Sequence, residues 1–551
     1  MDFLSIISFL GFTVLVAIIA WYSSKKTDEK SADGYYLGGR SLGAITIAGS
    51  LLLTNLSAEQ IVGLNGQAFT EGVLVMAWET LAAIAMIITA VFLLPRYMKG
   101  GITTIPQFVE DRFDHVTKAI LTVLFLSGYV IVVIPSVLYS GSLAFSTMFD
   151  LPELLGLSET MTLWVCVWTI GIIGIFYAIF GGLKAVAVSD LINSIGLLIG
   201  GLLIPFFGLM VIGDGNVSDG MSILWESNPE KFNVKGEVDA SIPFGTIFTG
   251  MMLVQMFYWG TNQVIMQRVF GAISLKAGQQ GVILAALVKF LIPLIVVLPG
   301  IIAWHLFEGN LDKPDQAYPA LVAKVLPAAF TGIFAAVLFG AILSSFNSLL
   351  NSSATLFGFD LYKKYFKKDA TEKQRVKAGK MFGLVLGILG MFVAPLIANA
   401  PQGLFAWLQE ANGCYSIPIL TVIVIGFFSK RAPAIAAKVG VISGVVLYSI
   451  SQFMIKPFYV SKAIENAVSN GITDAKALSV IQAEAYPHFL HVMAILFVLN
   501  IGIMLLITKL YPRPNDYQPL TTDVVSVEPW KYAFIAGAII TALVLSTYFI
   551  F

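Results

Sequence analysis

Polar side chains cluster in the middle of a hydrophobic segment near the start of the chain. Residues 50–60 read SLLLTNLSAEQ and lie within an otherwise apolar run from about residue 42 to residue 68. A lipid-facing helix does not carry amides, hydroxyls and a carboxylate at its centre, because each unpaired polar group in hydrocarbon costs several kcal/mol. The pattern favours a broken helix that lines a polar cavity and offers backbone carbonyls to a small cation. The alternative is an intact helix whose polar face hydrogen-bonds to neighbouring helices.

Ionisable and amide side chains recur inside other hydrophobic segments. Glu79 lies in MAWETLAA, Lys289 in LAALVKFLIPL, and Gln409 with Glu410 in FAWLQEANG, while Asp190 lies near the start of a further segment. A charge at mid-membrane costs about 3 kcal/mol on insertion scales, so such residues are usually functional and paired. Two alternatives stay open, a purely structural Glu79–Lys289 ion pair or a Lys289 that snorkels to the interface. Glu410 also fits a solvated position near the outer end of its helix.

The chemistry of these groups suits a polyhydroxylated, uncharged ligand. A hexose presents hydroxyls that both donate and accept hydrogen bonds, together with an apolar C–H face. Amides, a carboxylate and an ammonium bind hydroxyls, and an aromatic ring covers the flat face. The candidate ligands are Gln60, Glu79, Gln255, Lys289 and Gln409, with Tyr258 as the covering ring. An anionic solute would instead call for a helix N-terminus or an arginine, and we expect no arginine at mid-span.

A second cluster of hydroxyls and amides lies in residues 341–355, AILSSFNSLLNSSAT. Ser344 and Ser345 are adjacent, and Asn347 and Ser348 follow about one turn later. Hard cations take such oxygen ligands, so the density of the cluster predicts a cation site. The alternative for each hydroxyl is a hydrogen bond back to its own helix.

The composition is that of a membrane protein. The 551 residues are 57% hydrophobic and 12% charged, with a formal net charge of zero. Hydrophobic runs repeatedly reach the roughly 20 residues that span a bilayer. The balanced charge gives no case for nucleic-acid binding, and the two cysteines, Cys166 and Cys414, indicate neither a disulfide framework nor a metal site. The sequence contains no nucleophile–base constellation or nucleotide motif, so we expect neither an enzyme nor a bound cofactor.

About fourteen spans are expected along the chain. They are placed near residues 3–23, 42–68, 71–98, 116–148, 160–180, 186–213, 243–268, 277–307, 322–360, 377–399, 402–428, 432–455, 487–509 and 530–551. We predict a leading helix with a cytoplasmic loop over residues 1–41, a ten-helix core over 42–428, and three additional helices over 429–551. Polar residues interrupt the first span of each core half, about 42–213 and 243–428, which is the pattern of inverted repeats around a mid-membrane site.

The distribution of basic residues predicts the orientation of the chain. If the first residue is outside, about 25 of the 33 Lys and Arg residues lie on the cytoplasmic side, including Arg268, against about seven outside. This agrees with the positive-inside rule. An even number of spans then places both termini outside, and we expect the protein in the cell membrane.

Six stretches resemble, in the same order, the sodium:solute symporter family on its sugar-transporting branch, which contains the bacterial sodium/galactose transporters. They are DGYYLGGRSLG, SLLLTNLSAEQIVG, ITTIPQFVEDRF, FGGLKAVAVSDLI, FYWGTNQVIMQR and AILSSFNSLLNSSATLFGFDLYKKY. The resemblance runs from the leading span to the end of the ten-helix core. It implies a LeuT-type fold of five plus five inverted helices with flanking helices. It also implies sodium-coupled import of a neutral sugar by alternating access.

The resemblance further implies roles for individual residues. A sodium site would use three backbone carbonyls and two hydroxyls, those of Leu53, Leu56, Ala341, Ser344 and Ser345. The sugar ligands would be the polar residues named above, with Gln255 in place of an asparagine of the galactose transporters and Ala82 in place of a serine. Tyr258 would close the inner side of the sugar site. The two differences at Gln255 and Ala82 leave the particular sugar open.

Some members of the family resemble a two-sodium design with an aspartate in the fifth core span and hydroxyls in the eighth. Asp190, Ser344 and Ser348 match that pattern, while Asn347 replaces a hydroxyl residue but still offers a carbonyl oxygen. Asp190 could instead only line the sodium exit route, or pair with a nearby base such as Lys184. The sequence therefore leaves one and two sodium ions both open.

Two other functions stay open beside sugar import. One is symport of another polar solute such as an inositol, and the other is a sugar-responsive sensor that conducts sodium. Sialic acid is disfavoured, because the stretch GYVIVVIPSVLYSG lacks the arginine that the sialic-acid branch carries there.

Overall fold

The chain is almost entirely α-helical. The computed structural model describes residues 3–24, 32–180, 183–399, 404–522 and 525–550. Within these residues, β-type pairing is limited to two isolated bridges. Nine of the described helices are long and apolar enough to cross a membrane, or ten if one bent pair is counted as a single span, and three shorter apolar helices accompany them. The predicted all-helical membrane fold is thereby confirmed.

The described residues up to Ile212 form twelve α-helices. They are α1 (Phe3–Ser24), α2 (Ala32–Leu37), α3 (Ala44–Asn55), α4 (Ala58–Glu71), α5 (Ala77–Ile88), α6 (Leu94–Lys99), α7 (Ile105–Arg112), α8 (His115–Gly128), α9 (Ile134–Met148), α10 (Leu151–Leu155), α11 (Glu159–Phe180) and α12 (Leu183–Ile212). Short π-helical turns join α5 to α6 and α8 to α9, so that each pair forms one long helix.

Fifteen α-helices follow in the described residues after Ile212. They are α13 (Val217–Ser227), α14 (Gly250–Thr261), α15 (Gln263–Phe270), α16 (Leu275–Lys289), α17 (Pro293–Val296), α18 (Leu298–Leu306), α19 (Ala317–Val325), α20 (Ala328–Thr355), α21 (Glu372–Val393), α22 (Leu404–Phe428), α23 (Ala434–Ile450), α24 (Lys456–Ser469), α25 (Ala475–Glu484), α26 (Phe489–Leu510) and α27 (Ala533–Ile550). Each of the fourteen predicted spans overlaps one or more of these helices.

Two spans are broken where polar residues interrupt them. The first break separates α3 from α4 at Leu56 and Ser57. The second separates α14 from α15 at Asn262, whose side-chain oxygen caps α15 by accepting the Val264 N–H at 3.0 Å. The broken-helix interpretation of residues 50–60 is thus confirmed, and the intact helix is wrong.

A third span, predicted as one helix over residues 277–307, is bent as well. The axes of Leu275–Lys289 and Pro293–Leu306 differ by 49°. Proline lacks an N–H and clashes with the preceding turn, so Pro293 accounts for the end of α16 at Lys289. The bend places Lys289 at the end of α16 rather than within a continuous helix.

Helix α3 packs against α12, α16 and α20. The contact with α12 is close because Gly49 has no side chain: a Cβ there would lie 3.0 Å from the Leu191 Cα and 3.1 Å from the Ser194 Oγ. This approach brings Ser50, the next residue of α3, beside Asp190 of α12. The helices that follow α22 pack onto earlier ones: α23 and α26 lie beside α22, and α27 lies beside α5.

The far end of α4 is covered by a connecting segment and by α22. A Cβ on Gly66 would lie 2.9 Å from the backbone of Pro314. In the 3₁₀ turn Pro314–Gln316, the buried Asp315 accepts a hydrogen bond at 3.2 Å from the Leu404 N–H at the start of α22. These contacts close the end of α4 that lies opposite to α3.

Candidate functional site

A cavity of about 80 Å³ lies beside the helix breaks, several times the roughly 10–15 Å³ that one water needs. Its wall includes all six residues predicted to bind a solute, which are Gln60, Glu79, Gln255, Tyr258, Lys289 and Gln409. Ala82 and Ser345 also line it. The structure therefore brings together side chains that are up to 349 positions apart in the sequence.

Glu79 and Lys289 form a fully buried ion pair on this wall. The Lys289 ammonium donates to the Glu79 carboxylate and to the side-chain oxygen of Asn55 at the end of α3. The Gln60 amide donates to the other Glu79 oxygen at 2.5 Å. Snorkelling of Lys289 is wrong, since its side chain has no exposed surface. The Glu79–Lys289 ion pair is observed. Because the pair faces the cavity, its presence does not exclude a role in binding a solute.

Aromatic rings form the apolar part of the cavity wall. Trp78 and Phe405 meet edge to face with centroids 5.3 Å apart, and Tyr258 and Trp259 do so at 5.2 Å. The Gln255 amide donates to the Trp78 carbonyl at 2.8 Å, which fixes the side chain of Gln255 at the wall. Polar groups and ring faces in one cavity are the combination that a hexose requires.

The residues of the predicted sodium site lie where α3 ends against α20. Because α3 ends at Asn55, the Leu53 carbonyl has no N–H donor one turn ahead within the helix, which leaves it able to bind a cation. Ala341, Ser344 and Ser345 share one face of α20, since residues three and four apart are neighbours on a helix. The Ser345 hydroxyl is buried and has no hydrogen-bond partner. The Ser344 hydroxyl instead donates to Asp190.

Asp190 is fully buried at the junction of α12, α3 and α20. One carboxylate oxygen accepts from Ser344 and the other from Ser50 at 2.7 Å. The base near it is Arg268, whose Nη2 lies 3.6 Å from the carboxylate; the side chain of Lys184 lies outside the described residues. Asp190 therefore has a cationic partner already.

Arg268 differs from the sequence-based expectation in being buried inside the protein. The sequence predicts Arg268 on the cytoplasmic side from the distribution of charge, and it predicts no arginine at mid-span. In the structure it is 1% exposed and donates to Ser50 at 2.9 Å and to Ser348. The physical reason is that α15 lies among other helices, with every residue from Gln263 to Phe270 buried.

Sequence reasoning missed Ser50, Asn55 and Arg268 as members of these clusters. A signal was present for Arg268, because Gln263, Gln267 and Arg268 are polar residues within one short segment. Gln267 is also buried and donates to the Tyr36 carbonyl and the Thr355 hydroxyl, both at 2.8 Å. Glu410 lies two turns into α22 and pairs with Lys456 at 2.6 Å, with its side chain only 15% exposed.

Comparison with known proteins identifies the family. The profile of the sodium:solute symporter family matches residues 35–444. The uncharacterized symporter YidK of Escherichia coli (strain K12) is 44% identical over 537 residues, covering 98% of this chain and 89% of that protein. The sodium/glucose cotransporter of Vibrio parahaemolyticus is 34% identical over 488 residues, covering 82% and 86%. The human sodium/myo-inositol cotransporter 2 is 27% identical over 471 residues, covering 80% and 68%.

A solved structure supports the fold independently. The outward-open, substrate-bound structure of a sodium-coupled sialic acid symporter superimposes with a TM-score of 0.67 at 20% identity, covering 90% of this chain and 98% of that chain. Similarity at this level of identity establishes a shared backbone arrangement. With its broken helices and its match to the family profile, the chain is a multi-pass membrane protein of LeuT-type fold that belongs to the sodium:solute symporter family.

Proposed function

We propose that this protein is a sodium-coupled symporter that imports a neutral sugar, a hexose such as galactose or glucose, by alternating access. The observation that carries the proposal is the single cavity into which amides, a carboxylate, an ammonium and aromatic rings are gathered beside the helix breaks. No covalent step is required. Sodium and sugar act by binding one conformation better than the other, which shifts the population of the two.

Hydroxyl recognition would fall to the charged pair and the amides. A hydrogen bond to a charged group contributes about 1.5–3 kcal/mol, so Glu79 and Lys289 are the strongest candidates. Gln60 bonds to Glu79 and would orient it, while Gln255 and Gln409 would bind further hydroxyls. Tyr258 is half-buried at the wall and would cover one face of the sugar.

Sodium would bind between the end of α3 and α20. The proposed ligands are the carbonyls of Leu53, Leu56 and Ala341 and the hydroxyls of Ser344 and Ser345. The unpartnered, buried Ser345 hydroxyl supports this assignment, because buried polar groups normally have a partner. A second sodium ion would use Asp190, Ser344, Asn347 and Ser348, and both polar atoms of the Asn347 side chain are likewise buried without a partner.

The substrate is a hexose rather than an inositol in this proposal because the sodium/glucose cotransporter is the more similar relative, at 34% against 27% identity. An inositol is the second candidate, since its ring of hydroxyls would satisfy the same amides and charges. Ala82 and Gln255 line the cavity and are the positions at which the choice between sugars is expected to be made.

Uptake of labelled solutes into proteoliposomes tests the proposal. Galactose, glucose and myo-inositol would each be supplied with an inward sodium gradient, with an equal potassium gradient, and with a sodium gradient collapsed by an ionophore. Sodium-dependent accumulation of a hexose is expected. Sugar-dependent sodium current without accumulation of any sugar would indicate the sensor, and accumulation of myo-inositol alone would indicate the second candidate. We further propose that the protein lies in the cell membrane with both termini outside. The accessibility of terminal epitope tags on intact cells tests this orientation.

A further inference from the structure

Arg268 is a buried arginine among the ligands proposed for the second sodium ion. Its Nε donates to Ser50 Oγ on α3 at 2.9 Å, and its Nη1 donates to the Val264 carbonyl of its own helix at 2.7 Å. Its Nη2 donates to Ser348 Oγ on α20 and lies 3.6 Å from an oxygen of Asp190 on α12. The guanidinium therefore lies where four helices meet.

The guanidinium uses the same oxygens that a sodium ion would need. A hard cation is bound by carboxylate and hydroxyl oxygens, and here those of Asp190 and Ser348 already contact Arg268. The single negative charge of Asp190 is balanced by the single positive charge of Arg268. A sodium ion added beside both would leave an uncompensated positive charge in a fully buried place, which is strongly unfavourable.

We propose that Arg268 is a tethered cation that competes with the second sodium ion for Asp190. The inference rests on the proposed function, because it takes sodium to be the coupling ion. Without the second sodium, the guanidinium supplies the positive charge and donates to the same oxygens. When sodium binds, the guanidinium leaves the carboxylate, so the site binds sodium more weakly than its oxygens alone would.

Two observations distinguish this role from that of an ordinary structural arginine. Structural Arg–carboxylate pairs are frequently bidentate, with two parallel short hydrogen bonds. Arg268 makes one 3.6 Å approach to Asp190 and gives its shorter hydrogen bonds to hydroxyls, so the pair is loosely held.

The second observation is Asn347, the residue before Ser348. It is fully buried, and neither polar atom of its amide has a partner. Buried polar groups are rarely left unpaired, because their desolvation is costly. Asn347 shares a face of α20 with Ser344, three residues before it, and Ser344 donates to Asp190. The unpartnered amide oxygen of Asn347 is therefore on the face of α20 that an incoming sodium ion would contact.

Direct binding of radioactive sodium to the purified protein tests the competition. Arg268→Gln removes the charge but keeps an N–H donor. The half-saturating sodium concentration should fall at least about tenfold, because a positive charge within about 4 Å of the carboxylate is removed. Arg268→Lys keeps the charge and serves as the matched control, for which we expect a value near that of the parent. In the double variant Asp190→Asn/Arg268→Gln, the tighter sodium binding expected for Arg268→Gln should be lost. A folded Arg268→Gln variant with unchanged or weaker sodium binding would overturn the proposal.

A measurement on the unmodified sequence covers the case in which Arg268→Gln does not fold. In protein labelled with ¹⁵N-arginine, sodium but not potassium should shift one side-chain resonance, the one that is missing from Arg268→Lys. A spectrum in which no arginine responds to sodium would refute the competition. Both measurements are made without sugar, so their outcome does not depend on uptake. If the parent shows this competition for sodium but accumulates no sugar, only the proposed function is refuted.

Discussion

The Lys289 ammonium donates to the Glu79 carboxylate at the bend that follows α16, and both groups face the same cavity. The pair joins the bent span to the span that begins with α5, and under the proposed function it would also offer charge to a ligand. A binding role and a structural role can therefore be separated only by changing one partner and then both.

The first prediction separates those two roles. Glu79→Ala should destabilise the protein by about 3–5 kcal/mol, because it leaves the Lys289 charge buried without a counter-charge. Glu79→Ala/Lys289→Ala should recover much of that stability but should bind sugar at least about tenfold more weakly than the parent. Thermal unfolding in detergent and equilibrium sugar binding measure the two effects.

The control for this prediction is the exposed pair of Arg431 and Asp516, whose charged atoms lie 2.9 Å apart. Its double alanine variant should change stability by no more than about 1 kcal/mol and should retain sugar binding. If the Glu79→Ala/Lys289→Ala variant binds sugar as the parent does, the pair has a structural role only.

The second prediction concerns Tyr258 at the inner side of the proposed sugar site. Tyr258→Phe keeps the ring that covers the sugar, and it should retain much of the transport rate. Tyr258→Ala removes the ring and should lose most sodium-driven accumulation, because an aromatic contact with a sugar face is lost. Initial rates of uptake in proteoliposomes compare the three proteins. Equal accumulation by the alanine variant and the parent would count against Tyr258 as a gate.

The third prediction is the number of sodium ions per sugar. One sodium ion crossing about 100 mV contributes roughly 2.3 kcal/mol, and a tenfold gradient adds about 1.4 kcal/mol. That sum supports sugar accumulation of several hundredfold, and a second ion would raise the limit to roughly 10⁵-fold. We expect two sodium ions per sugar in the parent and one in Asp190→Asn. The reversal potential of the sugar-coupled current, measured against imposed sodium gradients, gives both ratios. If the reversal potential of the parent follows the sodium gradient with the slope for one ion per sugar, and Asp190→Asn does not change that slope, the proposed second sodium site is wrong.

The fourth prediction is a pH dependence at Asp315, which lies in a connecting segment between predicted spans. Burial raises the pKa of the Asp315 carboxyl from its ordinary value of 3.8 to about 6, against a smaller opposite effect of the hydrogen bond from Leu404. Between about pH 4 and pH 6 the folded protein therefore holds a proton that the unfolded chain has released. This contribution to stability is fully present below about pH 4 and is lost as the pH rises through about 6.

Asp315→Asn should remove that dependence. The neutral amide can still accept the Leu404 N–H, and it should stabilise the protein above pH 6 by about 3 kcal/mol, the equivalent of a shift of roughly two pKa units. Thermal unfolding at acidic and neutral pH compares it with Asp312→Asn, an exposed acid of the same segment. A variant that keeps the pH dependence of the parent would show that Asp315 is not its source.

The helix breaks were predictable because they carry a local signal. The polar residues at 54–60 and 255–263 have no stable place in a lipid-facing helix, so their position alone fixes where each span is interrupted. The gathering of Gln60, Glu79 and Lys289 into one cavity was predictable for a related reason, since buried charges in a membrane need partners.

The choice of partners was less predictable. Arg268 follows a hydrophobic segment, and the positive-inside rule places such an arginine at the membrane surface. Its actual neighbours, Ser50, Asp190 and Ser348, are brought together only by the packing of four helices that are far apart in sequence. The bend at Pro293 was also missed, because a proline in a hydrophobic run is compatible with both a straight span and a bent one.

The close contact at Gly49 has a consequence for the leakage of sodium ions between α3 and α12. At the junction between α3 and α12, beside the proposed sodium ligands, Gly49 has no side chain, and a Cβ there would lie 2.6 Å from Leu191 Cδ1 and 3.0 Å from Leu191 Cα. Gly49 itself has no rotamer that could loosen this contact, and the Leu191 backbone lies within van der Waals reach of it. A path for ions past Ser50 requires the two helices to separate as rigid bodies, as packed interfaces switch between discrete arrangements. Slippage of sodium without sugar should therefore be a rare, all-or-none event, and a larger residue at Gly49 should turn the carrier into a leaky one.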